Sequence, residues 1–172
     1  QKSIFVRLEP SIAEEPPLFL KRPFRLPRYY VQPRFNTVVD LSPNADEIFE
    51  SFSRDMRQDL RAALKKGVRV ELKSQLNSVD YEEFQKMQSE TSRRAGKNVY
   101  PGREYYENLF SVFGPLTAAP RPAAPVVAIF FAYNDSRPVA AHIVIFFAST
   151  ATYLFGASYS GKISSKATSY LH

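Results

Sequence analysis

Hydrophobic and polar positions along the chain fall into stretches of two periods, one near two residues and one near three to four, separated by proline and glycine. Residues 4–8 alternate as a short strand that stops at Glu9-Pro10. Six prolines follow from Pro10 to Pro33, with Lys21, Arg22, Arg25 and Arg28 between them. That density excludes regular helix and predicts an extended connector. Residues 36–41 then alternate toward a buried strand, and Ser42-Pro43 reads as a helix opening, a capping hydroxyl followed by proline at the first helical position.

Residues 44–66 carry a helical pattern broken near Ser53 and closed by Gly67. Met56, Leu60 and Ala63 or Leu64 recur at three-to-four spacing, while Arg57, Arg61 and Lys65 recur every four residues on another face. One side packs and the other is cationic. Residues 68–72 alternate as a strand. Asp80 with Glu83 reads as a capping box opening a helix that runs to about Arg94 and closes at Gly96. A third helix is predicted over 103–113, before a Pro/Ala-rich loop at 114–125. Three strands follow, at 126–133, 138–148 and 152–157, with turns at 134–137 and 149–150. A last helix is expected from about Ala167 to His172. The order is that of an α+β acyltransferase-like domain with a mixed, largely antiparallel sheet flanked by helices.

Composition narrows the chemistry. With 172 residues, 44% hydrophobic and 23% charged, the chain can bury a core and is not a disordered sequence. The most apolar region, 126–131 and 139–148, is interrupted by Asn134, Asp135, Ser136 and Arg137, so it reads as two strands rather than a membrane span. The absence of cysteine removes disulfide and thiolate chemistry, and the two histidines, His142 and His172, do not by themselves make a zinc site. A net charge of +6 directs attention to anionic partners such as nucleic acid, phosphorylated substrates or an acidic membrane surface. The first residues show no leader pattern, which reads as a trimmed chain rather than a secreted one. A reducing cytoplasm is the expected setting.

Several segments resemble, in order and spacing, motifs of the FemABX family of peptidoglycan-bridge aminoacyltransferases. They are Ile4-Phe-Val-Arg-Leu-Glu-Pro10, Gln32-Pro33-Arg34 running into Val38-Val-Asp-Leu-Ser42, and Met56-Arg-Gln-Asp-Leu-Arg-Ala-Ala-Leu-Lys-Lys-Gly-Val68. Phe84, Arg93-Arg94, Glu104-Tyr-Tyr106 and Tyr153-Leu-Phe-Gly-Ala-Ser158 continue the series. Each motif is weak alone, and their collinear order is the specific feature. The resemblance implies a domain of the fold used by acetyl-CoA-dependent N-acetyltransferases (GNAT-like). Residues 1–34 would then end a preceding domain and form the Pro-rich connector, and 35–172 would be a partial GNAT-like domain truncated at its C-terminal helix. It also implies transfer of an amino acid from an aminoacyl-tRNA to the stem peptide of a peptidoglycan precursor, lipid II or its UDP-linked muropeptide form. The implied enzyme needs no cofactor and no metal, and works in the cytoplasm with room for peripheral contact at the inner membrane face.

Such a transfer needs a nucleophilic amine, stabilisation of a tetrahedral oxyanion, and cations that hold substrate phosphates. No catalytic residue is assignable from the sequence. Arg57, Arg61, Lys65 and Lys66 are candidate phosphate contacts, weighed against a solvated helix face. Gln32 and Arg34 stand where the family enters its second domain. Arg93 and Arg94 equally complement a helix dipole. Some family members carry an Arg-Pro pair that contacts precursor phosphates just before Glu-Tyr-Phe. Here Pro101-Gly102 stands there, and Arg103 is the nearby cation. Tyr153 keeps a phenol at the first tyrosine of the strand motif, while Phe155 replaces a second tyrosine found in some members. His142 invites a general-base role, but its apolar strand favours a sheet-face histidine.

Two other functions remain open on the sequence. An acyl-CoA-dependent N-acyltransferase would cradle pyrophosphate on a glycine-rich loop between strand and helix. Arg93-Arg-Ala-Gly-Lys-Asn98 misses that pattern because it follows a helix, and the loop at 158–166 has one glycine. A non-catalytic module binding RNA or an anionic surface through its basic helix would show salt-dependent binding without turnover.

Overall fold

A computed structural model describes residues 37–98, 100–113 and 124–172. The chain divides into two compact units, 1–42 and 43–172. All the helices and strands described belong to the second. The strand and connector expected over 4–34 lie outside the described residues.

Helix α1 (Ala45–Ser51) begins on a reciprocal box in which the Asn44 side chain accepts from the Glu47 N–H and Glu47 accepts from the Asn44 N–H. The cap is therefore Asn44 and not Ser42, and Pro43 lies outside the helix. Ser53 accepts from the Met56 N–H and opens α2 (Arg54–Lys65), so the predicted break is a second cap. At the far end, Gly67 (φ 74°) donates to Leu64 O and Val68 to Ala63 O, the two bonds of a Schellman motif. Met56, Leu60 and Ala63 face inward, while Leu64 is 54% exposed.

Strand β1 (Arg69–Lys73) leads to α3 (Ser78–Ala95), whose cap is Asn77. Asp80 is the third-position partner of that box rather than its start, and its carboxylate also pairs with Lys73. Helix α4 (Arg103–Phe113) precedes the meander β2 (Val126–Asn134), β3 (Arg137–Phe147) and β4 (Thr150–Ser158). Asp135 and Ser136, at φ 49° and 65°, make the two-residue turn between β2 and β3. Helix α5 (Lys162–Leu171) starts five residues before the expected Ala167. Residues 37–41 form no strand, and Val38 is 90% exposed. Among the described residues no strand pairs with this segment, and alternation alone does not bury it.

The four strands lie in the order β1-β2-β3-β4, antiparallel throughout. One face carries Val127, Ile129, Phe131, Ala141, Ile143 and Ala157 against Tyr81, Phe84 and Met87 of α3 and Tyr106 and Leu109 of α4. The Phe84 and Tyr106 rings meet edge to face at 5.4 Å. The other face uses small residues, Ala132 and Ala140, against Ala63 of α2 and Ala167 of α5. Alanine on both sides lets these helices lie close to the sheet. This is the expected α+β architecture of a sheet flanked by helices, and of the mixed, largely antiparallel sheet expected, the described strands are all antiparallel.

Candidate functional site

The cations that the sequence groups on one helix face do different work. Arg57 turns back to the end of α1, donating to Glu50 O (2.7 Å) and Phe52 O (2.6 Å). Those are carbonyls with no acceptor role inside α1, so the guanidinium caps that helix. Arg61 lies 5.0 Å from the Phe49 ring centre and 4.0 Å from the Glu50 carboxylate, and is mostly solvated. Lys65 and Lys66 are exposed, and among the described residues neither has an ion-pair partner. The Lys66 carbonyl accepts from Asn134 Nδ2 at 2.8 Å, which ties the end of α2 to the β2–β3 turn.

Arg94 works at the same end of the sheet but on the edge strand β4. Its guanidinium donates to Ser158 O (2.9 Å) and Ser158 Oγ (3.0 Å) and reaches Ser160 Oγ (3.2 Å). Thr91 Oγ1 accepts from the Ser158 N–H and donates to Ser158 O, each at 3.1 Å. Tyr100 donates to Gly156 O at 2.5 Å. The last outward-facing backbone groups of β4 are thus held by side chains of α3 and of the segment after it. Glu90, hydrogen-bonded to Ser160 and to Arg93, sits below the usual carboxylate range for that reason.

Tyr153, half-exposed, stands on the α5 side of β4. Its ring centre is 4.8 Å from that of His142 and 5.0 Å from that of His172, and the two imidazoles are 4.4 Å apart. Gly156 makes this possible, because a Cβ there would overlap the Tyr153 hydroxyl and approach His142 Cδ2 to 2.9 Å. His142 is 1% exposed. Burial, helped by the neighbouring His172, pulls its pKa down to about 3, against a hydrogen bond to the Leu171 backbone that favours the charged form. An imidazole so disfavoured as a cation is a sheet-face group under α5 and not a base poised near neutrality. Burial raises the Tyr153 phenol.

Arg103 pairs with Glu107 at 2.6 Å and stacks 5.2 Å from the Tyr81 ring centre, on the outside of α4. Gln32 and Arg34 lie outside the described residues. The predicted site residues therefore do not converge: Lys65 and Lys66 end α2, Arg94 locks the end of β4, Arg103 opens α4, and Tyr153 faces α5. Ser158 ends the strand motif, but the sequence does not show that it, Thr91 and Tyr100 close the end of β4, because that role depends on contacts across more than 50 positions. Among the described residues no cluster of histidine, aspartate and glutamate is fit to hold a metal.

The architecture and the ordered motifs define a class before they define a family: an α+β domain built like part of FemX. A crystal structure of FemX superposes with a TM-score of 0.59 at 16% identity, over 75% of this chain and 46% of that one. The FemAB family model matches residues 27–119, more than half of the sequence, and the chain belongs to that family. The lipid II:glycine glycyltransferase of Staphylococcus aureus is 29% identical over 85 residues, which is 49% of this chain and 19% of the relative. The same enzyme from strains USA300 and MRSA252 matches to the same extent. The chain spans less than half the length of FemX, and its match covers about a fifth of these curated relatives.

Proposed function

We propose that this chain is part of an enzyme that adds an amino acid to the stem peptide of a peptidoglycan precursor, taking it from an aminoacyl-tRNA. Membership of the FemAB family carries this reading, and the similarity to lipid II:glycine glycyltransferases supports it. In this reading 1–34 ends a preceding domain and connects to a GNAT-like domain from 35 onward. The acceptor amine attacks the aminoacyl ester carbonyl, an amide forms, the ester bond to the tRNA breaks, and the ammonium proton passes to the departing ribose oxygen. The work of the protein is to hold two phosphate-bearing substrates together and to stabilise the oxyanion.

Lys65 and Lys66, with Arg61 beside them, are the side chains best suited to phosphate, since they are exposed cations with little or no competing ion pairing. Gln32, Arg34, Arg94, Arg103 and Tyr153 are carried as further substrate contacts by the family resemblance. Arg57 is assigned to helix capping instead. Lipid II or a UDP-linked muropeptide is the acceptor. The setting is the cytoplasm with peripheral contact at the inner membrane face, and no described helix is long and apolar enough to cross a membrane.

The test incubates the complete gene product in which this sequence occurs with charged tRNAs and a lipid-linked or UDP-linked muropeptide, and follows the muropeptide mass. The expected result is a gain of one amino-acid residue that requires aminoacyl-tRNA. Lys65→Ala with Lys66→Ala is expected to raise KM for the phosphate-bearing substrate about tenfold, equivalent to about 1.4 kcal/mol. Acylation that needs an acyl-CoA and no tRNA would overturn the reading, and salt-dependent RNA binding without turnover would make the chain a binding module.

A further inference from the structure

Two phenols meet at Gly156 of β4. The Tyr100 hydroxyl donates to the Gly156 carbonyl at 2.5 Å, on the outer edge of the strand where no described strand pairs. The Tyr153 hydroxyl rests on the Gly156 Cα, since a Cβ built there would stand 2.1 Å from that oxygen. Burial holds the Tyr100 phenol above its ordinary range, so it is a proton donor and not a phenolate at neutral pH. Tyr153 is raised first by burial and then by Tyr100, so the two hydroxyls are close enough to sense each other's charge.

The residues on either side of Gly156 are held by other means. Phe155 packs edge to face against the rings of Tyr105 at 5.8 Å and Tyr106 at 5.4 Å. Ala157 is buried in the core, and Ser158 is gripped by Thr91 and Arg94. Glycine, with no Cβ, tolerates rotation of its flanking peptides more than any other residue. The plane of the peptide between 156 and 157 is therefore the loosest part of this stretch, and the Tyr100 hydrogen bond is what fixes it. Among the described residues no hydrogen bond holds the Tyr153 hydroxyl, and the ring is seated by packing on Gly156, His142 and His172. That seat moves when the Gly156 backbone moves. We infer that Tyr100 is a positioning residue: through Gly156 it sets where the Tyr153 hydroxyl stands on the α5 side of the sheet, and it acts on the reaction through that hydroxyl. Its effect on activity rests on the proposed transferase reading, in which Tyr153 touches substrate, whereas its effect on the placement of Tyr153 does not.

The experiment places 3-fluorotyrosine at position 153 of the complete gene product and reads it by fluorine NMR, with transfer kinetics on the unlabelled protein as a second arm. Tyr100→Phe keeps the ring and removes only the hydroxyl. It is expected to displace and broaden the fluorine resonance. Thr91→Val loosens Ser158 instead, and is expected to lower the melting temperature while leaving that resonance in place. In the tRNA-dependent assay Tyr100→Phe is expected to lower kcat/KM about tenfold, the equivalent of ~1.4 kcal/mol. In a Tyr153→Phe background the same change is expected to cost less than about twofold, because the group it positions is already gone. An unmoved fluorine resonance overturns the inference, as does equal displacement by Thr91→Val. The same fold-loss in both backgrounds overturns it too, since Tyr100 would then act on its own or through the stability of the sheet. Displacement of the resonance in a protein that transfers no amino acid supports the placement of Tyr153 by Tyr100 while sinking the transferase reading.

Discussion

Replacing Gly156 with alanine is expected to destabilise the protein by about 1–3 kcal/mol, because the new methyl occupies the seat of the Tyr153 phenol. Combining it with Tyr153→Ala should recover most of the loss, and urea unfolding of the two single variants and the double one measures the coupling. His142 makes stability depend on pH. Its pKa is near 3 in the folded chain against about 6.5 when unfolded, so the unfolded state binds the extra proton between those values. The groups facing it are the Leu171 carbonyl from α5 and His172 just beyond it, Tyr153 from β4 and Phe130 from β2, and among the described residues no carboxylate offsets a charge there. Stability is fully present above about pH 6.5 and falls on acidification by up to about 1.4 kcal/mol per pH unit. Denaturation midpoints from pH 7 to 4 should show that slope, and His142→Phe should flatten it. The strand setting of His142 was legible from its apolar neighbours. The structural duty of Arg57 was not, because four-residue spacing tells which side chains share a face and not that one reaches back across a helix break.

At the scale of elements, caps decide the boundaries. Asn77→Ala removes one half of the box that opens α3 and should cost about 1 kcal/mol, read as a drop in thermal midpoint. Arg57→Ala frees two carbonyls at the end of α1 and is expected to cost about 1.5–3 kcal/mol, whereas Lys65→Ala should stay within about 0.5 kcal/mol. The ratio of those two urea midpoints tests whether the basic face divides as described. Asparagine, serine and aspartate all cap, and several stand close together here. That is why the pattern gave each helix but assigned the cap of α3 to Asp80 and that of α1 to Ser42. The pattern starts α5 late because its first residues, Lys162 to Lys166, include two serines, and Gly161 before them offers no side-chain cap.

For the molecule as a whole, the meander was the most legible part. Its strand lengths and turn residues agree with one another, and β2 and β3 supply most of the buried sheet residues while β4 is buried only at Ala157. The site was far less legible, since Thr91, Tyr100, Arg94 and Ser158 meet only after the sheet and α3 are packed. Any anion binding by Lys65 and Lys66 is expected to weaken steeply with salt, and fluorescence titration of RNA at 50 and 200 mM salt measures the slope. The end of β4 has a further consequence. Among the described residues β4 borders only β3, so it presents an open edge. On that edge the outward groups of Gly156 and Ser158 are already bonded to Tyr100, Thr91 and Arg94. A strand laid beside β4 would find free backbone groups only before Gly156, because beyond it the ladder positions are already taken by side chains.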